Sequence, residues 1–127
     1  MRLALDTNRY VDLCKSVADT VRLVATAEAV FLPFVVMAEL RAGFALGKHT
    51  AENERALRRF LLKPGVAVLY PDEQTTHHYA AAFRQLRIQG TPIPTNDLWI
   101  GALVLQHNLM LHARDRHFDS LPQIVRV

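Results

Sequence analysis

The chain has 127 residues, of which 50% are hydrophobic and 21% charged, a balance that fits one globular domain spanning 1–127 and not a disordered chain. Fifteen Lys and Arg against twelve Asp and Glu give a net charge of +3, which permits an anionic partner without identifying one. A lone cysteine, Cys14, excludes an internal disulfide and a cysteine-built zinc site.

The first apolar run, Leu3-Ala4-Leu5, is too short for the core of a signal peptide. It reads as a buried strand that ends in the polar turn Asp6-Thr7-Asn8. Tyr10, Val11, Leu13, Cys14 and Val17 then recur at helical spacing, with Cys14 expected among buried neighbours. Val21, Leu23, Val24 and Ala27 mark a second helix. Val30-Phe31-Leu32 is the next strand, and Pro33 suits the first turn of a helix running through Val36 and Leu40 to about Leu46. The longest apolar run, Ala29 to Ala38, contains that proline and is about half the ~20 residues needed to cross a bilayer. A protein of the reducing cytoplasm, away from membranes, is the expectation.

Thr50 is the expected N-cap of a charged helix, Ala51 to Leu62, that Lys63-Pro64-Gly65 stops. Its Arg55, Arg58, Arg59 and Lys63 read as a solvated basic face. Val66 to Leu69 is a third strand. Tyr79, Ala82, Phe83 and Leu86 give another helical stripe, ended by Gly90. After the extended Pro92-Ile93-Pro94, the segment Leu98 to about His107 is apolar almost all round and should be buried, with Trp99 packed in the core. Leu109-Met110-Leu111 and Ile124 to Val127 are the last strands. Strands separated by helices of this length predict an α/β fold, a three-layer α/β/α sandwich around a mainly parallel sheet.

In such folds ligands bind beyond the carboxyl ends of the strands, and four acids occupy that zone. Asp6 follows the first strand directly, and Asp115 follows the fourth. Asp97 sits in the first turn of the apolar helix, in line with Ile100, Gly101 and Val104. Glu39 shares a helical face with Val35, Val36, Ala42 and Gly43. Each acid alone has an ordinary explanation as a cap, a turn residue or an ion-pair partner. Brought to one sheet edge, they would raise one another's pKa unless a cation lay among them. Oxygen donors of this kind suit Mg²⁺ or Mn²⁺, and a metal held so supports phosphodiester hydrolysis.

Four segments carry a resemblance to a known family. Leu5-Asp6-Thr7-Asn8, the helical Met37 to Gly43 around Glu39, Pro94 to Ala102 around Asp97, and Arg114 to Phe118 around Asp115 resemble, in order and spacing, the motifs of PIN domains of the VapC toxin type. The resemblance implies a PIN fold and a divalent-metal-dependent endoribonuclease with Asp6, Glu39, Asp97 and Asp115 as its acidic quartet. It implies Asp6 and Asp97 as the nearest metal ligands, with Glu39 and Asp115 completing the pocket. Thr7, Asn8 and Asn96 would be supporting hydrogen bonders. It also implies a homodimer and a cognate antitoxin that inserts a basic group among the acids. One departure stands out: Ala113 occupies a position, two before the fourth acid, where many relatives carry Ser or Thr.

Arg114 and Arg116 flank Asp115 and are placed to hold an RNA phosphate. His117 is close to Asp115 with no evident role, and the other histidines form no metal motif. A haloacid-dehalogenase-type phosphatase would need an acid where Asn8 stands, and no Gly-rich phosphate loop with Lys exists for an NTPase. The competing reading is a PIN-like module that binds RNA or protein with little or no nuclease activity.

Overall fold

A computed structural model describes residues Met1–Val127. In chain order the elements are β1 (Arg2–Leu5), α1 (Thr7–Cys14), α2 (Ala18–Thr26), β2 (Ala29–Pro33), α3 (Phe34–Leu46), α4 (Thr50–Leu61), β3 (Val66–Leu69), α5 (Glu73–Gln89), α6 (Thr95–His107), β4 (Met110–His112) and β5 (Val125–Arg126). A short 3₁₀ turn, Arg116–Ser120, precedes β5. The strands form one sheet in the order β3-β2-β1-β4-β5, with every pairing parallel. This is the α/β sandwich that the alternation of strands and helices predicts.

The central strand explains its own sequence. Leu3, Ala4 and Leu5 are fully buried because a parallel strand with helices on both faces has no solvent side, so it reads as an unbroken apolar run. From β1 the chain builds outward through β2 to β3, then crosses back to add β4 and β5 on the other side. The direction of winding therefore reverses between β1 and β4. Their carboxyl ends splay apart there into a crevice, the place where open α/β sheets bind ligands.

Helix α6 is the best-buried helix of the sandwich. Leu98, Ile100, Leu103 and Val104 are each at most 4% exposed, and each such side chain contributes about 2 kcal/mol on burial. Packing therefore fixes the helix whose first turn carries Asp97. Trp99 joins this core edge-on to Phe34 and tilted on Tyr79, with ring centroids 5.9 and 4.5 Å away. Gly101 lets α6 approach the C-terminal segment: a Cβ there would lie 2.9 Å from Leu121 Cδ1, and Leu121 is fully buried. Gly101→Ala gains about 1 kcal/mol in helix propensity but overpacks this contact, at a cost of roughly 1–3 kcal/mol. A net fall in melting temperature is expected; an unchanged or higher value would mean that Leu121 can turn aside freely.

Several local expectations shift. Thr50 lies inside α4 and is not its N-cap; its hydroxyl donates to the Phe44 carbonyl at 2.6 Å, closing the loop from α3. Cys14 is exposed, because α1 buries Tyr10 and Asp12 instead. Strand β5 shrinks to two residues at the sheet edge. His112 is buried, with Nδ1 2.8 Å from the Val127 carbonyl and Nε2 2.9 Å from the Thr20 hydroxyl. A carbonyl only accepts, so Nδ1 donates to it, while Nε2 pairs with the Thr20 hydroxyl. This histidine ties the chain terminus to α2. No helix is long and apolar enough to cross a membrane.

Candidate active site

The crevice at the β1/β4 switch is lined by Asp6, Thr7, Asn8, Glu39, Asp97, Ile100 and Asp115, and its cavity volume is about 70 Å³. That is room for several ordered waters. The four acids that the sequence singles out thus come together from four separate segments.

Asp6 ends β1 and caps α1. Its Oδ1 accepts the Arg9 backbone N–H at 2.8 Å, and its Oδ2 accepts the Arg114 backbone N–H at 3.3 Å. Burial pushes its pKa up, and the two backbone donors only partly pull it back. Asp97 is raised as well, first by burial and then by the charges of Asp115 and Glu39, against a lowering hydrogen bond from His117. Two carboxylates held above their ordinary range in one cleft mark a site short of positive charge.

Glu39 differs from expectation. It is exposed, because the buried side of α3 is taken by Val35, Val36, Met37 and Leu40. It sits at the open rim of the crevice, where one oxygen accepts the Thr7 hydroxyl at 2.8 Å. Asn8 lines the cleft beside it, whereas Asn96 is exposed on α6 and lies outside the lining. Ala113 is buried, and its carbonyl accepts from Arg126 at 2.7 Å.

His117 is the residue whose place the sequence left open. Its Nδ1 lies 2.8 Å from both Asp97 Oδ2 and Asp115 Oδ1, and its backbone N–H donates to Asp115 Oδ1 at 2.9 Å. Proximity in sequence to Asp115 was readable; the approach to Asp97 depends on how the 3₁₀ turn meets α6.

The guanidinium of Arg114, expected to hold a phosphate, is paired here with an acid. It grips Asp12 through Nε, 3.1 Å from Oδ2, and through Nη2 to Oδ1. Arg9 Nη1 reaches the same carboxylate at 3.1 Å. Burial would raise the pKa of Asp12, but the hydrogen bonds from Arg114 and Arg9 outweigh it and hold the acid below the usual range. The Arg9–Asp12 spacing of three on one helix is visible in the sequence; the third partner, 102 residues away, is not. Arg9 and Arg114 are also the two residues whose backbone N–H groups hold Asp6, so this cluster around the buried Asp12 braces the cradle of the central acid. Arg116 remains exposed at the start of the 3₁₀ turn.

A parallel five-stranded sandwich with acids from four segments at its switch point is the architecture of a nuclease-like α/β domain, and comparison with known proteins gives the class. The PIN domain model matches residues 3–124, and the chain belongs to the PIN domain family. It is 35% identical over 111 residues to ribonuclease VapC1 of Haemophilus influenzae strain R2866, covering 84% of this chain and 81% of that protein. The structure of VapBC-1 from nontypeable Haemophilus influenzae superposes with a TM-score of 0.87 at 29% identity, covering 100% of this chain and 97% of that one. VapBC2 from Rickettsia felis, solved bound to a fragment of its promoter DNA, shares the fold with a TM-score of 0.85 at 24% identity, covering 100% and 98% of the two chains.

Proposed function

We propose that the protein is an endoribonuclease that hydrolyses RNA phosphodiester bonds with a divalent cation, Mg²⁺ or Mn²⁺, and acts as the toxin of a toxin–antitoxin pair. The observation that carries the reading is the convergence of Asp6, Glu39, Asp97 and Asp115 in one cleft of a PIN fold. The donor set fits such a cation: oxygen ligands, two of them with raised pKa values, and space for waters.

Asp6 and Asp97 would hold the ion, with Asp115 beside them. Bound there, a divalent cation supplies charge neutralisation at the phosphate and a more acidic water. The chain's own residues do the rest. Thr7 fixes one oxygen of Glu39, leaving the other to orient a water at the rim of the cleft. Arg9 and Arg114 hold Asp6 through their backbone N–H groups. Arg116, exposed next to Asp115, is placed to meet an RNA phosphate, and Asn8 borders the same opening.

The antitoxin reading has a physical basis in the same charge deficit. A guanidinium inserted among these carboxylates satisfies them with paired hydrogen bonds, much as a dication would. Pairing of two toxin copies and a cytoplasmic setting belong to this reading too. Incubation of structured RNA with the protein and Mg²⁺ or Mn²⁺ should give cleavage that a chelator stops. Asp6→Asn should slow it by about 100-fold or more. Binding without cleavage, unaffected by chelator, would instead favour the non-catalytic module.

A further inference from the structure

We propose that His117 is a nitrogen ligand of the cation, and that it biases this site toward Mn²⁺ over Mg²⁺. The inference rests on the divalent-cation reading of the cleft and assigns it a fifth residue, beyond the four acids.

The geometry comes first. His117 Nδ1, an Asp97 oxygen and an Asp115 oxygen all lie within 4.8 Å of one another, with the nitrogen 2.8 Å from each carboxylate. Adjacent ligands of an octahedral ion with bonds of about 2.1 Å lie about 3 Å apart. The nitrogen therefore already has nearly the spacing of a vertex neighbouring each of the two oxygens, which themselves lie within 4.8 Å of one another.

Hydrogen bonding gives the second argument. Nδ1 has at most one proton to donate, yet two carboxylate oxygens sit at the same distance from it. One N–H cannot serve both acceptors, so Nδ1 bonds Asp97 Oδ2 and leaves Asp115 Oδ1, 2.8 Å away, only the His117 backbone N–H. A cation between the three satisfies all of them at once, with the ring proton moved to Nε2. The backbone supports the pose: Asp115 caps the 3₁₀ turn and accepts the His117 N–H, so the histidine and its neighbouring acid are oriented as one unit.

Ligand chemistry then sets the preference. Mg²⁺ takes oxygen donors and keeps its waters; Mn²⁺ suits oxygen donors too, but as a transition-metal ion it accepts an imidazole nitrogen more readily than Mg²⁺ does. An all-carboxylate pocket separates the two ions weakly; a nitrogen donor separates them.

The test is direct metal binding, independent of RNA cleavage. Calorimetric titrations with Mn²⁺ and Mg²⁺ on the wild type, His117→Ala and His117→Asp should show the wild-type preference for Mn²⁺ falling by about tenfold or more in both variants, the scale on which groups around a metal site affect affinity. Pulsed electron paramagnetic resonance of the Mn²⁺-loaded wild type should show coupling to ¹⁴N that His117→Ala lacks. The His117 side chain is 44% exposed, so both variants should keep the wild-type circular dichroism. Mn²⁺ bound without nitrogen coupling, or an unchanged preference in the variants, would overturn the proposal and leave the carboxylate site standing. A wild type that binds neither ion would overturn both.

Discussion

Asp97→Asn is expected to abolish RNA cleavage and, in cation-free buffer, to raise the melting temperature. Burial, reinforced by Asp115 and Glu39, holds Asp97 above the ordinary carboxylate range, despite the opposing bond to His117. The sign follows from proton linkage. An acid with a raised folded pKa favours the folded state only while protonated; the penalty on its charge sets in above the unfolded value, near 3.9, and is complete above the folded one. Once pH exceeds the folded value, the wild type carries a charge that burial and the neighbouring acids penalise and that asparagine removes, and His117 retains Asp115 as a partner. A gain of a few degrees corresponds to about 1 kcal/mol in a chain of this size. Adding Mn²⁺ should raise the melting temperature of the wild type by mass action and leave Asp97→Asn nearly unmoved. A variant that melts lower than the wild type without cation would mean that His117 already compensates the acids, and that the site has no charge deficit for a metal to fill.

The same contrast explains which parts of the molecule the sequence makes legible. The apolar stretches Leu3–Leu5 of β1 and Ile100–Val104 of α6 are buried, so these runs state their positions directly, and with them the positions of Asp6 and Asp97. Strand–helix alternation implies parallel strands, which put Asp6 and Asp115 at the same sheet edge; the strand order, with its reversal between β1 and β4, is not written in that alternation. Glu39 lines the cleft, but with other surroundings than its sequence suggests: its spacing to Val35 and Val36 says nothing of which helical face the neighbouring elements cover. Thr50 shows the same limit at a cap, where a carbonyl six residues back competes for the hydroxyl. The interactions among Asp12, Arg9 and Arg114, or between His117 and Asp97, form only when distant turns meet. Polar contacts of that kind leave no periodic trace in a chain, whereas apolar burial does.

Asp12→Ala is expected to be the most destabilising of the substitutions considered, although the residue does not line the cleft. Removing one member of a buried ion pair costs about 3–5 kcal/mol, because the partner charges stay behind. The two arginines differ in how they would respond. Arg114 is 54% exposed and can return to water, whereas Arg9 is 24% exposed and its Nε is buried with no partner even now. The loss should therefore lie at the lower end, about 3 kcal/mol, or roughly 10 °C in melting temperature. Its pH dependence runs opposite to that of Asp97. Arg114 and Arg9 hold Asp12 below its ordinary value, so it stabilises the fold fully above the unfolded pKa, near 3.9, and that contribution is lost as pH falls through the lower folded value. The gap between wild type and Asp12→Ala should be wide at pH 7 and close progressively below about pH 4. Comparing the two proteins isolates this one acid from the others that titrate in the same range. Because Arg9 and Arg114 also present the backbone N–H groups that hold Asp6, the variant should bind Mn²⁺ more weakly even at temperatures where it remains folded. A gap in melting temperature that is the same at pH 7 and pH 3, with unaltered Mn²⁺ affinity, would show that the Asp12 cluster neither stabilises through its charge nor braces Asp6.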